Sequence, residues 1–251
     1  MASTVKIDLN CDLGESFGRY TLGEDAAMMA LVTSANVACG FHAGDFRVMG
    51  KTALLAAEYG VSFGAHPGYP DLQGFGRREM TFSPEEIRDL VTYQLGALAG
   101  FARAAGIPMV HVKPHGALYN QSVKSSAIAE AIAKAVKVFD PGLILVGLAG
   151  SLSVTAGREA GLRVASEGFP DRAYLPDGQL MPRSQAGSVL TDPDAVAAKA
   201  LRLVNEGIII SGRQITIDTL CLHGDNPRAV ENAKAVRRTL EADGIVIESM
   251  S

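Results

Sequence analysis

The stretch His-Val-Lys-Pro-His-Gly-Ala-Leu-Tyr-Asn, residues 111–120, decides how we interpret the fold of this chain. Side chains alternate along a β-strand, so His111, Lys113 and His115 are predicted to share one face. Gly116 and a helical segment follow, which is typical of a βα unit in a parallel sheet. In such units the functional groups collect at the carboxyl ends of the strands. The stretch therefore predicts a parallel α/β fold with a polar site at the strand ends.

The same pattern of an apolar strand followed by a polar tip occurs along the whole chain. The predicted parallel strands span residues 5–12, 35–39, 61–65, 111–115, 143–148, 163–167 and 219–222. Six of these seven lead to a polar tip, and the tips are Asp12, His42, His66, His115, Glu167 and His223. An open sheet uses only the few strands at its switch point, whereas a closed ring brings every tip to one centre. We therefore expect an irregular seven-stranded β/α barrel, formed by residues 1–251 as a single domain.

Helices are predicted between these strands. They span residues 46–59, 83–105, 125–138 and 192–206, with one after Gly150 and a last one that ends near Glu241. Residues 83–86 form a capping box with proline at the first helical position, and Asn226-Pro227 is predicted to cap the last helix. Residues 208–217 predict a β-hairpin and residues 244–248 a short terminal strand. Residues 67–82 and 168–190 are long irregular segments, which are usually functional.

Composition and charge exclude two classes of partner. The net charge is −4 and the sequence pI is about 5.7, with no dense run of Lys and Arg, so nucleic acid is not an expected ligand. No stretch reaches the roughly 18 apolar residues that span a bilayer, and the amino terminus lacks a secretory pattern. We therefore expect a cytoplasmic protein with no membrane partner.

Three cysteines are present, and their spacing matches no common metal or redox motif. Cys11, Cys39 and Cys221 fit neither a zinc ribbon nor a CxxC pair. We expect them to act as small buried side chains, with a nucleophilic thiol as the alternative.

Four of the five histidines fall at strand ends, which chance placement would not produce, so His42, His66, His115 and His223 are predicted to be functional. His111 lies at the amino-terminal end of its strand and is predicted to be structural. Lys113 lies inside an apolar strand, where an unpaired ammonium is very costly. It is therefore expected either to form a structural ion pair, with Asp12, Glu15 or another carboxylate, or to bind a substrate anion. Arg77, Arg78, Arg172 and Arg183 lie in the irregular segments, where arginines are usually solvated.

Five motifs, in this order along the chain, resemble the LamB/YcsF family. They are residues 10–15 (NCDLGE), 34–45 (SANVACGFHAGD), 64–71 (GAHPGYPD), 111–120 and 223–225 (HGD). The resemblance implies a β/α barrel similar to glycoside hydrolases and polysaccharide deacetylases. It also implies a hydrolase activity, the ATP-dependent opening of the lactam of 5-oxoproline to glutamate, together with partner subunits B and C of a 5-oxoprolinase. The chain departs from many relatives at Phe46, where they have proline, and this should alter only the start of a helix.

This chemistry suggests roles for the polar residues. A lactam is a stable amide, and phosphorylation of its oxygen by ATP would allow water to attack. The predicted catalytic residues are Asp12, Glu15, His42, Asp45, His66, His115, His223 and Asp225. The predicted substrate-binding residues are Asn10, Lys113, Tyr119, Glu167 and Arg172. Helix starts after Gly44 and Gly224 offer backbone N–H groups to an anion. The resemblance implies ATP as a co-substrate. Because the chain has no GxxxxGK[ST] loop and no GxGxxG after a strand, the sequence does not decide which subunit binds ATP.

Two other interpretations of the same residues stay open. One is a metal-dependent hydrolase of a C–N bond, with Asp12, His42, His66 and His115 as the ligands. The other is a protein that binds a small lactam acid without catalysis, which would not need several titratable groups on one ligand. The sequence leaves metal content and self-association undecided. Because the chain lacks a nucleotide loop, we expect it to be inactive without its partners.

Overall fold

The computed structural model describes residues 5–224 and 228–250 of the chain. In these ranges the strands are β1 (Lys6–Leu13), β2 (Ser34–Ala38), β3 (Ser62–His66), β4 (Met109–Val112), β5 (Ile144–Leu148), β6 (Arg163–Gly168), β7 (Ile208–Ile210), β8 (Arg213–Ile215), β9 (Thr219–Cys221) and β10 (Val246–Ile247). Seven of them, in the order β1-β2-β3-β4-β5-β6-β9, form a parallel sheet, and β9 pairs with β1 to close it. The predicted seven-stranded β/α barrel is confirmed.

The helices between the strands cover the outside of the barrel. In the described ranges they are α1 (Asp25–Met29), α2 (Phe46–Tyr59), α3 (Pro84–Ala104), α4 (Gly116–Lys124), α5 (Ser126–Phe139), α6 (Leu152–Glu159), α7 (Pro193–Glu206) and α8 (Ala229–Ala242). Ser83 begins α3 with the predicted capping box, because its hydroxyl accepts the Glu86 N–H and the Glu86 carboxylate accepts the Ser83 N–H. None of the helices in these ranges has the length and apolarity needed to cross a bilayer.

Alternation along the strands separates an apolar layer from a polar lumen. Ile7, Leu9 and Cys11 of β1 join the main hydrophobic core beneath the helices. Asp8 and Asn10, on the opposite face, are buried in the lumen and bond to Ser34 and Thr219 of the neighbouring strands. An apolar group of Ile144, Val146, Ala165 and Met250 fills another part of the protein interior. The polar lumen predicted from the period of two is therefore present.

A β-bulge interrupts the pairing of β4 with β3 just before residues 111–120. Phe63 pairs with Met109, but Gly64 pairs with His111, so Val110 has no partner across the ladder. The ordered strand ends at Val112, earlier than predicted, although the Lys113 N–H still donates to the Ala65 carbonyl over 2.9 Å. The chain therefore remains extended through the residues that carry the site.

The predicted hairpin and irregular segments are also present. β7 and β8 are antiparallel and are joined by Ser211 and Gly212, both with positive φ. Residues 169–190 contain only isolated bridges, between Arg172 and Val189 and between Tyr174 and Leu180. The sequence patterns did not predict α1, and the Asn226-Pro227 cap lies outside the described residues.

Replacement of Gly64 by alanine should destabilise the barrel by about 1 to 3 kcal/mol, the usual cost of overpacking. A Cβ at this position would overlap the buried ring of His111, and that ring is held by a 2.8 Å hydrogen bond to Asn36. The measurement is the free energy of unfolding in urea. The control is Gly96→Ala, at an exposed position of α3 where an added Cβ meets nothing within 4 Å. This change should stabilise the protein by about 0.5 to 1 kcal/mol. Equal stability of the two variants would contradict this packing.

Candidate active site at the carboxyl ends of the strands

A buried ammonium lies at the centre of the polar lumen. Lys113 Nζ is 2.8 Å from Glu167 Oε1 and 3.0 Å from Asp12 Oδ1. Asn10 Oδ1 accepts from the same ammonium over 3.2 Å, and Cys221 Sγ is 3.0 Å away. Burial opposes the charge, but the neighbouring carboxylates outweigh it and raise the pKa of Lys113 well above its usual value. Of the two expected roles, the structure favours the structural ion pair.

The carboxylates of this ion pair are held by side chains from β1, β2 and α4. The Asn36 amide donates to Asp12 over 2.9 Å and to Asn10 over 2.7 Å. The Asn10 amide in turn donates to Glu167 over 3.0 Å. Tyr119 donates its hydroxyl to the other Glu167 oxygen over 2.8 Å. This network makes a rigid floor of fixed charge.

A cavity of about 420 Å³ opens above this floor. The floor residues that reach it are Asp12, His66, Lys113 and His115, and Tyr119, Phe169 and His223 stand at its sides. Four cationic side chains also line it, and they are Arg77, Lys124, Arg172 and Arg183. The pKa of the Arg172 guanidinium is lowered by burial and then by the like charge of Arg183. Glu79 also lines the cavity and pairs with Lys124 over 3.7 Å, so the arginines are the part of the wall suited to an anion.

Three histidines and Glu15 form a compact cluster beside the cavity floor. One donor atom from each of Glu15, His42, His66 and His115 lies within 4.8 Å of all the others. His66 Nε2 is 2.9 Å from His115 Nδ1, and it is 3.3 Å from Asp12 Oδ2. The rings of His42 and His115 stack in parallel with centroids 3.7 Å apart.

Backbone carbonyls fix the orientation of two of these rings. His66 Nδ1 lies 2.7 Å from the Lys113 carbonyl oxygen, and His115 Nε2 lies 2.8 Å from that of Phe75. Burial lowers the pKa of His115 to about 3 and that of His42 well below its usual value. Both imidazoles are therefore neutral and offer a lone pair.

His223 forms a separate pair on the other side of the cavity. Its Nδ1 is 2.6 Å from Asp171 Oδ2, and its ring stacks on Phe169 at 5.6 Å. Burial opposes ionisation of Asp171, but His223 outweighs it and lowers the pKa of this carboxyl. Lys113 Nζ also lies 5.4 Å from the Phe169 ring, which connects His223 to the central ammonium.

Of the six predicted strand tips, Asp12, His66, His115 and His223 line the cavity, whereas His42 and Glu167 are buried beside or beneath it. Asn10 and Glu167 are fully buried and act on Lys113, not on the cavity surface. Asp45 is the N-cap of α2, where it accepts from the N–H groups of Arg47, Val48 and Gly18. Its catalytic assignment is therefore not supported, and it occupies the anion position predicted after Gly44. Asp225 lies outside the described residues.

The predicted substrate residue Arg172 does line the cavity, but its guanidinium is already engaged. It donates to the carbonyl of Met181 over 2.6 Å and to that of Ser188 over 3.3 Å. Because Met181 and Ser188 lie in the same irregular segment as Arg172, these bonds fold the segment on itself, and Arg172 shapes the wall as well as contributing charge.

The three cysteines are buried and reduced, as expected for small buried side chains. Burial raises the pKa of the Cys39 thiol to about 12 and those of Cys11 and Cys221 well above the usual value. A thiolate nucleophile is therefore disfavoured.

Some contributors to the site were missed from the sequence. Asn36 shares the inward face of β2 with Ser34, so its alternation was an available signal. Asp171 and the Phe75 carbonyl lie in irregular segments, where no period predicts which groups reach the site.

Fold and site together define a β/α-barrel protein with a cation-lined cavity over a histidine and carboxylate floor. The model of the LamB/YcsF family matches residues 7–251, and the chain belongs to this family.

Two relatives are similar over nearly their whole length. The A subunit of 5-oxoprolinase from Syntrophobacter fumaroxidans is 53% identical over 250 residues, covering 98% of this chain and 99% of that one. The crystal structure of a lactam utilization protein from Thermus thermophilus superimposes with a TM-score of 0.90 at 51% identity, covering 98% of this chain and 100% of that one. The family 4 carbohydrate esterase of Streptomyces lividans shares the fold alone, with a TM-score of 0.53 at 12% identity over 98% of this chain and 93% of that one.

Lys113→Met should destabilise the protein by about 3 to 5 kcal/mol, because Asp12 and Glu167 would remain as buried charges without their cation. The measurement is the free energy of unfolding in urea. Lys6→Met is the control, since Lys6 pairs with Glu248 at an exposed site and its loss should cost less than about 1 kcal/mol. A Lys113→Met protein of full stability that no longer binds substrate would instead assign Lys113 to the substrate carboxylate.

Proposed function

We propose that this chain is the A subunit of a 5-oxoprolinase, which opens the lactam of 5-oxoproline to glutamate with hydrolysis of ATP and acts with partner subunits B and C. The observation that carries the proposal is one cavity that joins a cationic wall to a histidine and carboxylate floor. The names of the two relatives, one from a 5-oxoprolinase and one from lactam utilization, support the choice of substrate.

The shape and charge of the cavity suit a small lactam acid. A volume of about 420 Å³ admits a five-membered ring with one carboxylate. We place the carboxylate against the wall near Arg172 and Arg183, because Lys113 is already neutralised by Asp12 and Glu167. The lactam carbonyl then faces His66 and His115, whose imidazole rings can orient or deprotonate water. In this proposal ATP activates the amide oxygen, and the partner subunits provide its main binding site.

Further parts of this proposal concern the chain as a whole. We propose a single domain, supported by a barrel that uses strands from β1 to β9. The cytoplasmic location expected from the sequence stays a prediction.

The direct test is turnover by the purified chain with and without subunits B and C. We expect the three together to form glutamate and ADP from 5-oxoproline and ATP, and the chain alone to be nearly inactive. Failure of the complete set to form glutamate would contradict the proposed substrate. Full activity of the chain alone would contradict the dependence on partners.

The second candidate is an ATP-independent hydrolase of a C–N bond, which the cluster of Glu15, His42, His66 and His115 favours. The same assay distinguishes it from the first. Hydrolysis of the lactam or of simple N-acetyl compounds by the chain alone, without ATP and lost on chelation, would support this candidate.

Arg183→Met should raise the KM for 5-oxoproline by about 10- to 100-fold, because a hydrogen bond to a charged group contributes about 1.5 to 3 kcal/mol. Arg183 is exposed at the cavity wall, so its replacement should leave the fold intact. Arg163→Met is the matched control, because Arg163 begins β6 at the opposite end of the barrel and bonds to the Gly142 carbonyl. The kinetics of the three-subunit enzyme test this, and an unchanged KM in Arg183→Met would remove Arg183 from the carboxylate site.

A further inference from the structure

We propose that Glu15, His42, His66 and His115 bind one divalent transition-metal ion of the zinc type. The inference goes beyond the proposed function, since it concerns the metal content of the chain and not its substrate. It also replaces one member of the ligand set expected from the sequence, because Glu15 and not Asp12 completes the cluster.

The spacing of the donor atoms is that of a metal site. Zinc bonds to nitrogen and oxygen are about 2.0 to 2.1 Å long, so tetrahedral ligands lie about 3.4 Å apart. Glu15 Oε1 is 3.5 Å from His42 Nε2 and 3.5 Å from His115 Nδ1. His66 Nε2 is 2.9 Å from His115 Nδ1. Small shifts of these side chains are enough to surround one ion.

Tautomer geometry gives an independent argument. A carbonyl oxygen only accepts, so the protons of His66 and His115 must lie on the nitrogens that face the Lys113 and Phe75 carbonyls. When both rings are neutral, the other two nitrogens, His66 Nε2 and His115 Nδ1, direct lone pairs at each other across 2.9 Å. Two facing lone pairs repel, and a cation between them removes the repulsion.

The burial of His42 is a second observation that supports a metal ion at this cluster. It is fully buried, and among the described residues neither of its ring nitrogens has a hydrogen-bond partner. A buried polar group without a partner is costly, and ligation to a metal would satisfy Nε2, the nitrogen that faces Glu15.

The surroundings are arranged to hold these rings. The Lys113 and Phe75 carbonyls orient His66 and His115 in the way that outer-shell acceptors orient metal-bound histidines. Glycines leave room for the rings, since a Cβ at Gly68 would lie 2.7 Å from His42 Nδ1 and one at Gly76 would lie 2.9 Å from His115 Cδ2.

The cluster is open on one side. His66 and His115 line the cavity, whereas Glu15 and His42 lie behind them. A bound ion would therefore face the cavity, where an added ligand would raise its coordination number from four to five. An oxygen ligand, such as water or the carbonyl of a cyclic amide, is the chemical class that fits this position.

Metal analysis and cobalt titration of the purified full chain test the proposal. After treatment with a chelator and dialysis, we expect it to take up one equivalent of Zn²⁺ or Co²⁺, with the intense visible absorption of four- or five-coordinate Co²⁺. His66→Gln and His115→Gln should each weaken binding by more than about 100-fold, since changes outside the ligand shell already cost about 10- to 100-fold. His223→Gln, in the same cavity but outside the cluster, should retain full binding.

Several results would overturn the proposal. They are the absence of stoichiometric uptake, a weak octahedral cobalt spectrum, or binding that survives in the double variant His66→Gln/His115→Gln. If these variants do not fold, the cobalt spectrum of the unaltered chain decides alone. None of these measurements uses substrate, so a metal-free chain could still belong to a 5-oxoprolinase, and an inactive complex could still contain the metal.

Discussion

The ammonium of Lys113 between Asp12 and Glu167 is the interaction on which the interior of this barrel depends. A cation in a barrel lumen is stable only with carboxylates close to it, and two carboxylates in turn need the cation. The three residues come from the ends of β1, β4 and β6, so the ion pair ties strands on different sides of the ring. Asn10 and Asn36 donate to the same carboxylate oxygens that contact Lys113, and Tyr119 donates to the other oxygen of Glu167. The closed sheet therefore carries polar groups where many barrels carry apolar layers.

The same residues organise the chemistry above them. The backbone carbonyl of Lys113 holds His66, and the other oxygen of Asp12 faces the same ring. The charge network and the histidine cluster are therefore one unit. A substitution of Lys113 or Asp12 would alter the position of the His66 ring. With Lys113 neutralised, the cations available to a substrate carboxylate lie on the wall, in the irregular segment around Arg172 and Arg183. The barrel thus separates the group that would bind the acid from the groups that would act on the amide.

Much of this arrangement could be predicted from the sequence, because period-two alternation reports which residues face inward. It predicted the common face of His111, Lys113 and His115, and the need for a carboxylate beside Lys113. It could not predict the bulge at Val110, which depends on pairing with β3. Nor could it predict the Asp171 partner of His223 or the Phe75 carbonyl, since irregular segments have no period. Asp45 was assigned to catalysis because it lies in a motif, but its carboxylate satisfies the first N–H groups of α2.

The cavity over the Lys113 floor is the place where the lactam should bind, and the proposed roles of the wall and the histidines both depend on this. A crystal structure of the protein grown with 5-oxoproline tests it most directly. We predict density for the ring inside this cavity, with the carboxylate toward Arg172 and Arg183 and the lactam carbonyl toward His66 and His115. A ring bound outside the cavity, or one whose carboxylate contacts the histidine cluster, would contradict this assignment.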